Sequence, residues 1–250
     1  MNLQYVSLLL PFALILARVT AFVAVLPLFG GKSAPNVLKV GLSVLLTIFL
    51  AHYAPPPVLG PQRGSVVLAV LLLAREVLCG AALGLAVRLI YSAVQQGGIL
   101  IGRQMGFYMA SIVDPSTDQQ TQPLGMFFEV LFMLLFFAAG GHHLLLRTIA
   151  RSFQVLPAAG AIDFGALTTA VLAAGSSMLL FALKLAAPML AAFLILAVVL
   201  GVLARVLPEM NVLLTSLPLR VAVGLGMAVA LVPSLQAFTQ DIAQWIGQLM

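Results

Sequence analysis

The residues of this chain that could do chemistry are few, and their surroundings say more than their types. Arg75, Glu76, Glu129 and Lys184 each stand inside a long apolar run. There an ionised side chain is expensive enough to be kept only with a partner or a function. Arg75 and Glu76 are sequence neighbours, so on a helix they point in different directions and do not pair with each other. Two chemistries could use such groups: a proton or ion relay, as in an ion-coupled solute transporter, or buried pairing within or between subunits. The chain carries only seven Asp and Glu residues, several of them in polar stretches, and pairing is the reading this shortage favours.

Other catalytic or cofactor signatures are incomplete. Gly31-Lys32-Ser33 looks like the end of a phosphate-binding loop, but Leu26 stands where the first glycine belongs. His52, His142 and His143 lack the i, i+4 spacing and the nearby carboxylates or thiols of a metal site, which leaves them interfacial or capping roles. The sequence shows no nucleophile elbow, no closely spaced carboxylates and no cysteine–histidine pairing. Cys79 is the only cysteine and allows no intramolecular disulfide. The expectation is a non-enzymatic chain with no metal and no cofactor. A net charge of +5 scattered along the sequence forms no basic tract and argues against nucleic acid as a partner.

The elements that must carry these groups are membrane helices. Hydrophobic residues make up 62% of the chain and charged ones 8%, against about a quarter charged in soluble domains, so membrane lipid is an expected partner. Uncharged windows at 40–62, 164–183, 185–204 and 221–240 reach the roughly 20 residues that cross a hydrocarbon core. Those at 3–29, 65–90 and 124–142 are interrupted by Arg18, by Arg75, Glu76 and Arg88, and by Glu129. The count predicts about six spanning helices. No Lys or Arg precedes the apolar run 6–16, which reads as the first helix and not as a removed signal peptide. Lys32 and Lys39 favour a cytoplasmic first loop, yet Arg147, Arg151, Arg205 and Arg220 then fall on alternating sides, so charge and a simple six-span topology disagree.

Neither the polar alternation of a membrane barrel nor a repeat of 20 to 50 residues is present. The fold class is therefore an all-α membrane protein of long hydrophobic helices and helical hairpins. Breaks fall at Pro55-Pro56-Pro57 through Gly64, at Leu156-Pro157-Ala158-Ala159-Gly160 ahead of a candidate helix N-cap at Asp163, and at Arg205 to Asn211. The last reads as a hairpin tip holding Arg205, Pro208, Glu209, Met210 and Asn211. The expected division is 1–160 and a two-helix part, 161–250.

Between apolar regions lies a glycine-punctuated island, 95–124. Gly98, Gly102 and Gly106 share one helical face and let another helix approach closely. Phe107, Tyr108, Met109, Ile112 and Val113 follow as a soft apolar patch, and Asp114-Pro115 disfavours helix and turns the chain. Such a glycine stripe would hold the patch at a crowded centre.

Three blocks of sequence resemble the FliR family of type III secretion export-gate subunits, which has flagellar and injectisome (SctT) branches. They are Pro27-Leu28-Phe29-Gly30-Gly31-Lys32-Ser33-Ala34-Pro35 with Lys39-Val40-Gly41-Leu42; Ile101-Gly102-Arg103-Gln104-Met105-Gly106-Phe107 and Asp114-Pro115, continued by Gly141-His142 and Ser152-Phe153-Gln154-Val155-Leu156-Pro157; and Arg205-Val206-Leu207-Pro208-Glu209-Met210-Asn211 with Leu217-Pro218-Leu219-Arg220. Their order is the family's, and the pattern favours the flagellar branch. Glu209 departs from it, since many members carry Gln there.

The resemblance implies a FliP-like N-terminal part fused to a FliQ-like C-terminal hairpin. It also implies one copy within a helical ring of FliP and FliQ, largely raised out of the bilayer plane, with FlhB and FlhA as further partners. The location implied is the bacterial inner membrane within the flagellar basal body, and the cargo is unfolded protein. The segment 106–122 would plug the closed pore.

Overall fold

A computed structural model of the chain describes residues 3–27, 35–53, 55, 66–106, 123–160, 163–206, 216–230, 233 and 240–241. The elements are helices α1 (Leu3–Val25), α2 (Asn36–Tyr53), α3 (Val66–Gln104), α4 (Pro123–Ala138), α5 (Gly141–Val155), α6 (Phe164–Val206) and α7 (Ser216–Ala230). No strand occurs among the described residues, and the all-α membrane class expected from composition is what the chain adopts.

Three described helices are long and apolar enough to cross a membrane: α2, α3 and α6. Here the window count fails in an informative way. The two apolar windows on either side of Lys184 are one continuous helix of 43 residues, and the polar start of the island, from Gln95 to Gln104, is the last part of a 39-residue helix. A lysine or a pair of glutamines satisfies its backbone within a helix as well as leucine does, so charge interrupts a hydropathy window without interrupting the helix. Pro188 also lies inside α6, where it lacks the N–H that would bond the Lys184 carbonyl, and the helix continues past it.

The chain forms two compact units that interleave along the sequence: Met1–Tyr91, Gly140–Ser176 and Ala243–Met250 in the first, Ser92–Ala139 and Ser177–Ile242 in the second. These are spatial units. The expected division at residue 160 concerns relatedness to two partner proteins, which they leave open.

In the first unit, α1 and α2 pack together, with Ser43, Thr47 and Leu50 of α2 buried. The Ser43 and Thr47 hydroxyls donate to the Lys39 and Ser43 carbonyls, so these buried polar groups are satisfied within their own helix. Gly80 and Gly84 bring α3 against α1. A side chain at Gly80 would overlap the Arg18 carbonyl, and one at Gly84 would lie 2.9 Å from the Phe22 carbonyl oxygen. At the turn after α5, Gly160 N–H donates to Pro157 O, and Ala159 takes a left-handed φ of 60°. Asp163 then caps α6, its Oδ1 accepting from the Gly165 and Ala166 amides at 2.8 and 3.2 Å.

In the second unit, α3 packs on α6 at Gly97, where a Cβ would meet Leu185 and the Ala182 carbonyl. It packs on α7 where Met105 fills the space left by Gly224. Gly98 is buried and Gly102 half-buried on the same stretch of α3.

Candidate functional site

Of the four charges expected to need partners, Glu76 has its partner within the first unit, and the partner is Arg18. Arg18 Nε donates to Glu76 Oε2 at 2.6 Å, with both side chains 1% exposed. Arg18 Nη1 reaches on to the end of α5. It donates to the Leu156 carbonyl at 2.8 Å and the Ser152 carbonyl at 3.1 Å, and lies 3.4 Å from the Ser152 hydroxyl. The guanidinium also sits 4.3 Å from the centroid of the Phe153 ring.

Glu76 Oε1 is occupied too, accepting the Ala159 amide at 3.0 Å. The left-handed backbone of Ala159 belongs to the turn that presents this N–H. One ion pair therefore ties three segments: α1, α3 and the turn that ends α5.

The electrostatics explain why the pair is tolerated. A buried pair gains little over apolar residues of the same volume unless its remaining donors and acceptors are used, and here Arg18 Nε and Nη1 and both Glu76 oxygens are. The last carbonyls of α5 have no intrahelical donor of their own beyond Leu156 N–H on Ser152 O. A cation there also complements the negative end of the helix. Sequence reasoning named Glu76 and passed over Arg18, although Arg18 interrupts the first apolar run. The usable signal was Gly80, one turn beyond Glu76, which seats α3 on α1 at Arg18.

The other three are placed differently. Arg75 is half-buried on α3, and its buried Nε has no hydrogen-bond partner among the described residues. Glu129 is half-buried on α4, and Lys184 is exposed on α6 with Nζ 5.7 Å from the Phe181 ring centroid. No ion pair joins any of the three among the described residues.

In the second unit, α3 ends where the segment expected to act as a plug begins. Gly106 closes α3 with φ 86°, a left-handed conformation natural to glycine, and its amide donates to the Arg103 carbonyl. Arg220 of α7 donates through Nη1 to the Gln104 carbonyl at 3.2 Å, and Leu217 lies against Gly106. The described chain stops at Gly106 and resumes at Pro123, the first residue of α4, where a missing N–H costs nothing. Two residues on, a Cβ at Gly125 would lie 3.3 Å from Ile99 and 3.4 Å from the Gln95 carbonyl. Gly106 and the Ile99 contact of Gly125 are thus about 10 Å apart along the α3 axis at ~1.5 Å per residue. Phe107, Tyr108, Met109, Ile112, Val113, Asp114 and Pro115 lie outside the described residues. So do Pro208, Glu209, Met210 and Asn211, while Arg205 is exposed in the last turn of α6.

Three long apolar helices and a buried ion-pair clamp fit a membrane protein, and known proteins place the chain more narrowly. A model of the family described as bacterial export proteins, family 1, matches residues 9–245. The chain is 33% identical over 222 residues to the flagellar biosynthetic protein FliR of Bacillus subtilis (strain 168), covering 87% of this chain and 84% of that protein. It is 30% identical over 238 residues to FliR of Escherichia coli (strain K12), covering 94% and 89%. It is 28% identical over 225 residues to the Yop proteins translocation protein T of Yersinia pestis, covering 86% and 83%. Matched over nearly its whole length, the chain belongs to family 1 of the bacterial export proteins.

Proposed function

We propose that the chain is a non-enzymatic core subunit of the flagellar type III secretion export gate, assembling with FliP and FliQ into a gated channel for unfolded flagellar proteins. The relatives named FliR support the flagellar assignment, while the resemblance to translocation protein T supports an injectisome gate as the second reading. In either branch the location would be the bacterial inner membrane, and in the flagellar branch FlhB and FlhA would be neighbouring components of the apparatus.

One observation carries the assembly reading. Helix α6 is 43 residues long, about 64 Å at ~1.5 Å per residue, and large apolar side chains remain exposed from Phe164 at one end to Val206 at the other. A bilayer offers a hydrocarbon core of about 30 Å, and even at the steep end of usual tilts, ~40°, the helix still projects roughly 49 Å along the normal. Some 20 Å of apolar surface is left for protein to cover. A second helical hairpin of similar length, stacked side by side, is the cover that fits.

Within such a ring the segment 106–122 would plug the resting pore. Support comes from the described residues that flank it: Arg220 and Leu217 hold the end of α3 at Gln104 and Gly106, and Gly125 at the start of α4 packs on Ile99.

Co-expression with FliP and FliQ of the same bacterium, followed by purification and imaging, tests the reading. A hetero-oligomeric ring containing one copy of this chain is the expected outcome. A stable, monodisperse chain that moves a small solute by itself would overturn it in favour of a transporter.

A further inference from the structure

Helix α5 differs from every other described helix in presenting a cationic face. Its buried side, Leu145, Thr148, Ile149, Ser152 and Phe153, seats it in the first unit. His143, Arg147 and Arg151 stand at i, i+4 and i+8 on its exposed side. The helix contains no Asp or Glu, so Arg147 and Arg151 face each other one turn apart with like charge, an arrangement that mildly destabilises a helix unless something anionic relieves it.

Nothing in the first unit is free to do so. Its described residues include six lysines and arginines but only two acids. Glu76 is consumed by Arg18 and the Ala159 amide, and Asp163 caps α6. The cations are also interleaved with exposed apolar residues, Leu146 at 42% and Val155 at 57%.

We propose that this face of α5 lies along the headgroup layer of the membrane, with Arg147 and Arg151 binding the phosphates of anionic phospholipids. Charge complementarity calls for an anionic partner, and the alternation of cations with apolar side chains selects lipid. An amphipathic interfacial helix buries its apolar residues at the acyl boundary while its guanidiniums snorkel to phosphates, whereas an acidic protein surface would leave Leu146 and Val155 against charge. The same unit also contains α2, a candidate span with exposed Val44, Leu45, Ile48 and Phe49, ending in the exposed aromatic Tyr53.

The test uses the full chain in nanodiscs of phosphatidylcholine with or without phosphatidylglycerol. With Cys79 replaced by Ala and Leu146→Cys spin-labelled, the label is expected at headgroup depth in phosphatidylglycerol discs, accessible to both membrane-soluble and aqueous relaxants. Native mass spectrometry of the parent chain should show retained phosphatidylglycerol. Arg147→Gln with Arg151→Gln should weaken that retention about 30-fold, from ~1 kcal/mol per cation at an anionic surface and 1.4 kcal/mol per tenfold. Arg147→Lys with Arg151→Lys should keep most of it, and salt near 1 M should abolish the difference. Unchanged circular dichroism of the Gln variant shows that folding is intact. Equal retention of phosphatidylglycerol by parent and Gln variant would overturn the proposal. So would a label that both relaxants fail to reach once partner subunits are added, since an acidic protein would then be the occupant.

Discussion

Removing Glu76 tests the clamp that organises the first unit. In Glu76→Ala, Arg18 remains 1% exposed with two carbonyls and an aromatic face but no counter-charge. Breaking a buried pair in this one-sided way costs about 3–5 kcal/mol. The Ala159 amide loses its acceptor as well, worth roughly 1–3 kcal/mol, and since both losses fall on one carboxylate they overlap to about 4–6 kcal/mol in total. For a chain of this size, about 4 kcal/mol corresponds to a fall in unfolding temperature of roughly 8–16 °C. Glu76→Gln keeps an acceptor for Ala159 and should lose less, about 2–3 kcal/mol. Arg18→Met with Glu76→Leu abolishes both charges but orphans the Leu156 carbonyl and the Ala159 amide, so the double variant should sit well below the sum of the singles, with a coupling near 3 kcal/mol. Detergent-titrated unfolding in mixed micelles, followed by far-ultraviolet circular dichroism, provides the free energies. A loss under about 1 kcal/mol for Glu76→Ala, or strict additivity in the cycle, would refute the reasoning.

Three further outcomes follow from the packing. Gly80→Ala and Gly84→Ala should each destabilise the chain by about 1–3 kcal/mol by forcing α3 away from α1, whereas Gly201→Ala, with open space around it, should be neutral or stabilising by up to ~1 kcal/mol in the same unfolding assay. Arg220→Gln, which removes an exposed cap on Gln104, should cost the chain under about 1 kcal/mol yet raise the resting permeability of the assembled gate, measured as ion leak in cells expressing it. Val198→Cys on the exposed face of α6, in a Cys79→Ala background, should crosslink to a cysteine placed on FliQ, and crosslinks confined to this chain would count against the hairpin stacking.

Local signals in the sequence were legible where one residue decides the backbone. The turn at Pro157 to Gly160 and the cap at Asp163 stand where proline, glycine and a short carboxylate demand them. Helix lengths were not, because hydropathy windows measure compatibility with lipid, and α3 and α6 run on through Gln95 and Lys184 without regard to it. Charge pairing was half legible. That Glu76 needs a partner follows from burial cost alone, but Arg18 lies 58 residues away and becomes its neighbour only once Gly80 seats one helix on another. Of the glycines expected to matter, Gly106 meets Leu217, while the tightest approaches are at Gly80 and Gly224, which are glycines like the rest. Which of them faces a neighbour depends on helix rotation, a tertiary property.

The claim that 106–122 is the resting seal is tested most directly by conductance. Phe107, Tyr108 and Met109 are replaced together by glycine, and the gate is purified with FliP and FliQ and placed in a planar bilayer. Assembly should be retained, because the Gly106 and Gly125 contacts are untouched, and resting ion conductance should rise well above that of the parent gate. A fully assembled gate with unchanged resting conductance would contradict the account.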